Sequence, residues 1–149
     1  MNRVIERHCV VCVDDEPAIL AALRRALRQE PYDLLTTESP EDALRWITTR
    51  DVSLIITDQR MPGMQGTELL EEVSRNSPST ARIILTAFPG PAFSTPGLRR
   101  WLECMISKPW DSGMLRRTIR QLLRERQMDL AQEDETEETM HAERKLLDD

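Results

Sequence analysis

The chain has 149 residues, 40% of them hydrophobic and 31% charged, with a formal net charge of −6. That length suits one domain plus a short extension and suffices to bury a core, and the composition reads as ordinary soluble globular protein. No apolar run approaches the roughly 18–20 residues needed to span a bilayer. The polar stretch Met1–His8 has no signal-like apolar core, so neither export nor a membrane anchor is expected.

Charge is unevenly spread. Residues 125–149 hold ten Asp/Glu against Arg126, Arg144 and Lys145, which gives −7 and leaves +1 for the remaining 124 residues. The body is nearly neutral and the tail acidic, a pattern that supports no nucleic-acid-binding field. Three cysteines, an odd number, favour a reducing cytoplasm over a disulfide framework. Cys9 and Cys12 form a C-x-x-C, but inside a strand positions three apart face opposite ways. They read as small buried hydrophobes.

In chain order, Cys9–Val13 is a continuous, Val-rich apolar run, as in a strand buried on both faces. Pro17, following Asp14-Asp15-Glu16, starts a helix through about Gln29 with Ile19, Leu20, Leu23 and Leu27 on one stripe. Tyr32–Thr37 reads as strand two. Ser39 is an N-cap with Pro40 at N1 and Asp42 at N3, opening a helix through about Thr49. Val52–Thr57 is strand three, ending at Asp58 before a loop with Pro62, Gly63 and Gly66. A helix over about 65–76 buries Leu69, Leu70 and Val73. Ala81–Thr86 is strand four and Cys104–Ser107 a short strand five. Asp111 caps a final amphipathic helix with Leu115, Ile119, Leu122 and Leu123 on its apolar face.

This is a (βα)₅ pattern: a parallel sheet with helices on both faces. Sites in such doubly wound sheets form at the carboxyl ends of strands, near the topological switch point. Those ends carry Asp14-Asp15, Asp58, Thr86 and Lys108. Three carboxylates at one rim repel one another unless a cation sits among them, and hard oxygen donors suit Mg²⁺. Of the 20 basic residues only Lys108 and Lys145 are lysine, so a compact ammonium at the rim stands out against an arginine background. With the Thr86 hydroxyl, the set suits in-line phosphoryl transfer to a carboxylate. Each piece alone has an ordinary structural reading as helix cap, turn former or loop. Their joint placement at successive strand ends favours chemistry.

The motifs VCVDDEP (Val11–Pro17), LIITDQRMPGMQGTELL (Leu54–Leu70), IILTA (Ile83–Ala87) and SKPW (Ser107–Trp110) resemble the receiver domains of response regulators over about residues 8–125. The resemblance implies a flavodoxin-like sheet of order 2-1-3-4-5 and a phosphoacceptor at Asp58, supplied by a sensor histidine kinase or a phosphotransfer protein. It implies that Asp15 ligates Mg²⁺ directly, Asp14 through water, and Arg60 through its carbonyl. Thr86 and Lys108 match the phosphoryl contacts, and Lys108-Pro109 matches a cis peptide bond. Arg60 and Phe88 match the positions that gate hydrolysis. Such a domain catalyses its own phosphorylation and dephosphorylation and has no independent turnover.

The sequence departs from the family pattern in three places. Phe88–Gly97 carries three prolines and two glycines where the helix after strand four is expected, so that helix is expected to be irregular. Met105 replaces the usual aromatic switch residue three positions before the lysine. Residues 126–149 form an acidic extension, either a solvated helix or a tether; 132–139 lack any apolar side chain, so no coiled-coil seam of apolar residues is expected to run through them. A C-terminal output domain is expected, HD-GYP-like by analogy with the TDQRMPGM and KPW pattern. Arg99, Arg100, Arg116, Arg117, Arg120 and Arg124 cluster around the last two helices; the ordinary reading is a solvated face, and the alternative is a surface for a partner or homodimer. The alternatives are a pseudo-receiver that binds partners without phosphorylation, and a Mg²⁺-dependent hydrolase with an aspartyl nucleophile. Gln59, after Asp58, offers the latter no general acid.

Overall fold

Runs of valine, isoleucine and leucine are good strand formers only where both faces are covered, and the covering helices decide the architecture. The computed structural model describes residues 7–87 and 102–148. Its strands are β1 (Cys9–Val13), β2 (Asp33–Thr37), β3 (Leu54–Thr57), β4 (Ala81–Thr86) and β5 (Cys104–Ser107). The helices are α1 (Pro17–Leu27), α2 (Pro40–Thr49), α3 (Gly66–Asn76) and α4 (Ser112–Leu147). All strand pairs are parallel, in the order β2-β1-β3-β4-β5.

The sheet separates two apolar clusters. On one face Val10, Cys12, Leu54, Ile56, Ile83 and Ile106 meet Leu20, Leu23 and Leu27 of α1 and Leu115, Ile119 and Leu123 of α4. On the other, Val11, Val13, Ile55 and Ile84 meet Ala43 and Ile47 of α2 and Leu69, Leu70 and Val73 of α3. Cys12 and Cys9 fall in different clusters, both thiols free and buried, as the strand period requires. Burial pushes the Cys12 thiol up to about 12.

Local capping follows the sequence. Ser39 Oγ accepts from the Asp42 amide at 3.3 Å, and Asp111 Oδ1 accepts from the Met114 amide at 2.7 Å. Other boundaries shift inward. Helix α1 ends at Leu27, two residues before the expected Gln29, and Glu30 just beyond it turns inward, 7% exposed, to a bidentate pair with Arg120. Tyr32 and Val52 are buried but precede the ladders of β2 and β3. The irregular helix expected over Phe88–Gly97 lies outside the described residues, as do Arg99 and Arg100.

Topology positions the rim. The chain adds β2 on one side of β1 and then crosses to add β3 on the other, so the switch point lies between β1 and β3. In that register Val13 pairs with Thr57, making Asp14 and Asp58 neighbours one step beyond the ladder. The Asp58 amide donates to the Val13 carbonyl at 2.9 Å and the Lys108 amide to the Thr86 carbonyl at 2.8 Å. Four strand ends are thereby held by backbone hydrogen bonds at one edge of the sheet.

Candidate functional site

Ligand-capable oxygens of Asp14, Asp15 and Asp58 all lie within 4.8 Å of one another. Asp14 is 1% and Asp58 8% exposed, while Asp15 is the most accessible of the three. Lys108 Nζ donates to Asp14 Oδ2 at 2.7 Å and lies 3.4 Å from Asp58 Oδ1. One ammonium thus faces three carboxylates, which leaves a formal charge of −2. That excess, on hard oxygen donors, fits a small divalent cation.

Burial first, and then the charge of Asp14, raise the Asp58 carboxyl; Lys108 and the Gln59 amide, which donates to Asp58 Oδ1 at 2.8 Å, oppose them. Burial pulls the Lys108 ammonium down, but its bond to Asp14 and the charges of Asp14 and Asp58 outweigh that and leave it raised. The lysine therefore stays charged at neutral pH. Despite its ion pair with Lys108 at 3.4 Å, Asp58 therefore holds a proton more readily than an ordinary carboxylate.

Asp15, Asp58, Arg60, Thr86, Lys108 and Pro109 line a single cleft of about 980 Å³. Thr86 is buried at the end of β4, and the Lys108-Pro109 peptide bond is cis. Asp14 sits beneath the cleft, held by Lys108 and accepting from the Glu16 amide at 2.9 Å. Met105 is apart from the cleft, on β5 and 37% exposed. Phe88 lies outside the described residues.

Two features escaped the sequence reading. The cleft continues past the carboxylates between α1 and the start of α4, lined there by Ile19, Ala22, Arg25, Trp110 and Arg116. Arg116 also donates to the Ala26 carbonyl at 3.1 Å, tying the two helices together. The spacing of Arg25 and Arg116 gives no sign of this meeting; Trp110, directly after Lys108-Pro109, was the one available signal. The second is Gly66. Its amide donates to the Gln59 carbonyl at 3.0 Å, and a Cβ there would overlap the Asp58 carbonyl oxygen. Only glycine lets α3 start this close to the end of β3.

The sequence pattern of the response regulator receiver domain matches residues 10–120. The hydrogenase transcriptional regulatory protein HoxA of Cupriavidus necator is 36% identical over 113 residues, 75% of this chain but 23% of HoxA. The chain therefore spans about a quarter of that relative. The signal receiver domain of an HD domain-containing protein from Pseudomonas fluorescens superposes with a TM-score of 0.81 at 30% identity, covering 88% of this chain and 97% of that one. The response regulator protein TrrA from Thermotoga maritima, in complex with Mg(2+)-BeF, gives a TM-score of 0.70 at 27% identity, covering 77% and 98%. The family pattern covers most of this chain and the sheet order agrees with it, so the chain belongs to the response regulator receiver family.

Proposed function

We propose that residues 8–125 form a Mg²⁺-dependent phosphoacceptor switch with Asp58 as the acceptor. The observation that carries this reading is Asp58 at the switch point, beside Asp14 and Asp15 and 3.4 Å from Lys108. In this reading an Asp58 oxygen attacks the phosphorus of a phosphohistidine on a sensor kinase or phosphotransfer protein. The O–P bond forms as the P–N bond breaks, and the imidazole leaves with the electron pair. Lys108 and Thr86 hold the transferred oxygens by charge and hydroxyl. Asp15, Asp58 and the Arg60 carbonyl, with Asp14 through water, would hold the metal, which would supply charge neutralisation at the phosphoryl group. The likeness to TrrA, solved with Mg(2+)-BeF, supports the metal and phosphoryl assignment.

Phosphorylation alters how residues 8–125 meet a cytoplasmic partner or an output domain joined through residues 126–149. The likeness to the receiver of an HD domain-containing protein supports an output domain of that type. Incubation with Mg²⁺ and acetyl phosphate or phosphoramidate should add one phosphate by intact mass. Full retention of that signal in Asp58→Ala would reject the assignment. No phosphate at any donor concentration would instead make the chain a partner-binding module that keeps the fold alone.

A further inference from the structure

Helix α4 runs 36 residues, about 54 Å at 1.5 Å per residue, yet its buried contacts stop early. Leu115, Ile119 and Leu123 pack on the sheet. Arg126 makes the last anchor, donating to the Ser79 carbonyl and to Asp51, both at 2.9 Å. Beyond Leu130 every described residue of the helix is exposed. That outer half is unfavourable by itself, since Glu133/Glu137 and Asp134/Glu138 are like-charge pairs at i,i+4. A helix polar all round is stable as a bridge between domains or through many favourable i,i+4 pairs, and otherwise calls for a partner.

A second stripe runs along α4 diametrically opposite the buried one. Arg117, Gln121, Arg124, Met128, Ala131, Glu135 and Glu138 recur at alternating three- and four-residue spacing, and all are exposed. The stripe is sorted by sign: arginine on the half beside the domain, small or apolar at Met128 and Ala131, glutamate on the outer half. Neither Arg117 nor Arg124 has an ion-pair partner among the described residues.

We propose that α4 pairs antiparallel with α4 of a second copy of this chain. The two-fold axis passes between Met128 and Ala131. Met128 then lies opposite Ala131 of the second copy, Arg124 opposite Glu135, and Gln121 opposite Glu138. The interface is isologous, each contact occurring twice, and each copy's acidic half covers the other's arginine half. The stripe faces away from each domain, so both domains lie on the outside of the helix pair. A parallel pair is disfavoured by the same residues, because it sets Arg124 against Arg124 and Glu135 against Glu135. This surface does not depend on the chemistry assigned to Asp58.

The test is light scattering and sedimentation of the whole chain, with variants. A dimer is expected at low salt, weakening as salt screens the pairs. Arg124→Glu should weaken it about tenfold or more, and Arg124→Glu with Glu135→Arg should restore it, since attraction and repulsion across one layer reverse together. In a Cys104→Ser background, Gln121→Cys mixed with Glu138→Cys should form the cross-copy disulfide, while Gln121→Cys alone should not. A monomer up to about 100 µM at low salt, a dimer indifferent to charge reversal, or self-crosslinking of Gln121→Cys would each overturn the proposal.

Discussion

Lys108 Nζ lies 2.7 Å from Asp14 Oδ2, joining residues 94 positions apart, and the two side chains are 12% and 2% exposed. The pair is a fastening between the first and last strand ends of the site as well as part of its chemistry. Removing one partner strands the other's charge indoors. Lys108→Met should therefore destabilise the metal-free protein by about 3 kcal/mol in urea unfolding, and adding Asp14→Asn should recover most of the loss. A single variant as stable as the parent would show that the pair holds nothing together.

Asp58 contributes with the opposite sign. Its carboxyl is raised by burial and by Asp14, so the folded protein binds that proton more tightly than the unfolded chain does. Below the ordinary carboxylate range the group has no effect. As pH rises through the interval up to the raised folded value, ionisation costs stability, and the cost stays in full above it. In metal-free buffer Asp58→Asn should raise the melting temperature at neutral pH and leave it unchanged near pH 3. Millimolar Mg²⁺ should narrow the neutral-pH gap by stabilising the parent. A lower melting temperature for Asp58→Asn at neutral pH contradicts this electrostatic account.

Gly66 tests how tightly the loop after β3 is built. A methyl group there meets the Asp58 carbonyl oxygen, a backbone atom that cannot swing aside. Gly66→Ala should cost about 2 kcal/mol of stability and slow phosphorylation of Asp58 by acetyl phosphate, as the acceptor shifts. Unchanged stability and rate would mean that α3 can retreat freely.

Arg60 lines the cleft beside Asp58, and the resemblance to receiver domains leads us to expect it across the path of attacking water. The phosphorylated form should accordingly be long-lived, and Arg60→Ala should speed its decay after donor removal more than twofold; Phe88→Ala is the companion variant. Acceleration below about twofold in both, under roughly 0.5 kcal/mol of barrier, rejects shielding.

The sheet was legible because its central strands β1 and β3 are buried runs of apolar residues on both faces, and polar residues stand at or just after the ends of β1, β3, β4 and β5. That rule alone brought Asp14, Asp15, Asp58, Thr86 and Lys108 to one rim. It does not say which carboxylate Lys108 grips, since Asp14 and Asp58 both lie a residue beyond paired positions and their distances from the ammonium, 2.7 and 3.4 Å, differ by only 0.7 Å. The inward turn of Glu30 just after α1 could not be read locally, because its partner Arg120 lies 90 residues on. The Arg25, Trp110 and Arg116 stretch of the cleft arises from helix packing, which leaves no local period. For residues 132–139 the apolar signal vanishes altogether, so helix and tether were indistinguishable there until the backbone was seen to continue to Leu147.

The most direct test of the central claim is to trap the acyl phosphate where it forms. After phosphorylation with Mg²⁺ and acetyl phosphate, borohydride reduction converts an aspartyl phosphate to homoserine, which peptide sequencing by mass spectrometry locates. The account predicts homoserine at position 58, dependent on Mg²⁺ and lost in Asp58→Asn. Homoserine at Asp14 or Asp15, or none despite a one-phosphate gain in intact mass, would contradict it.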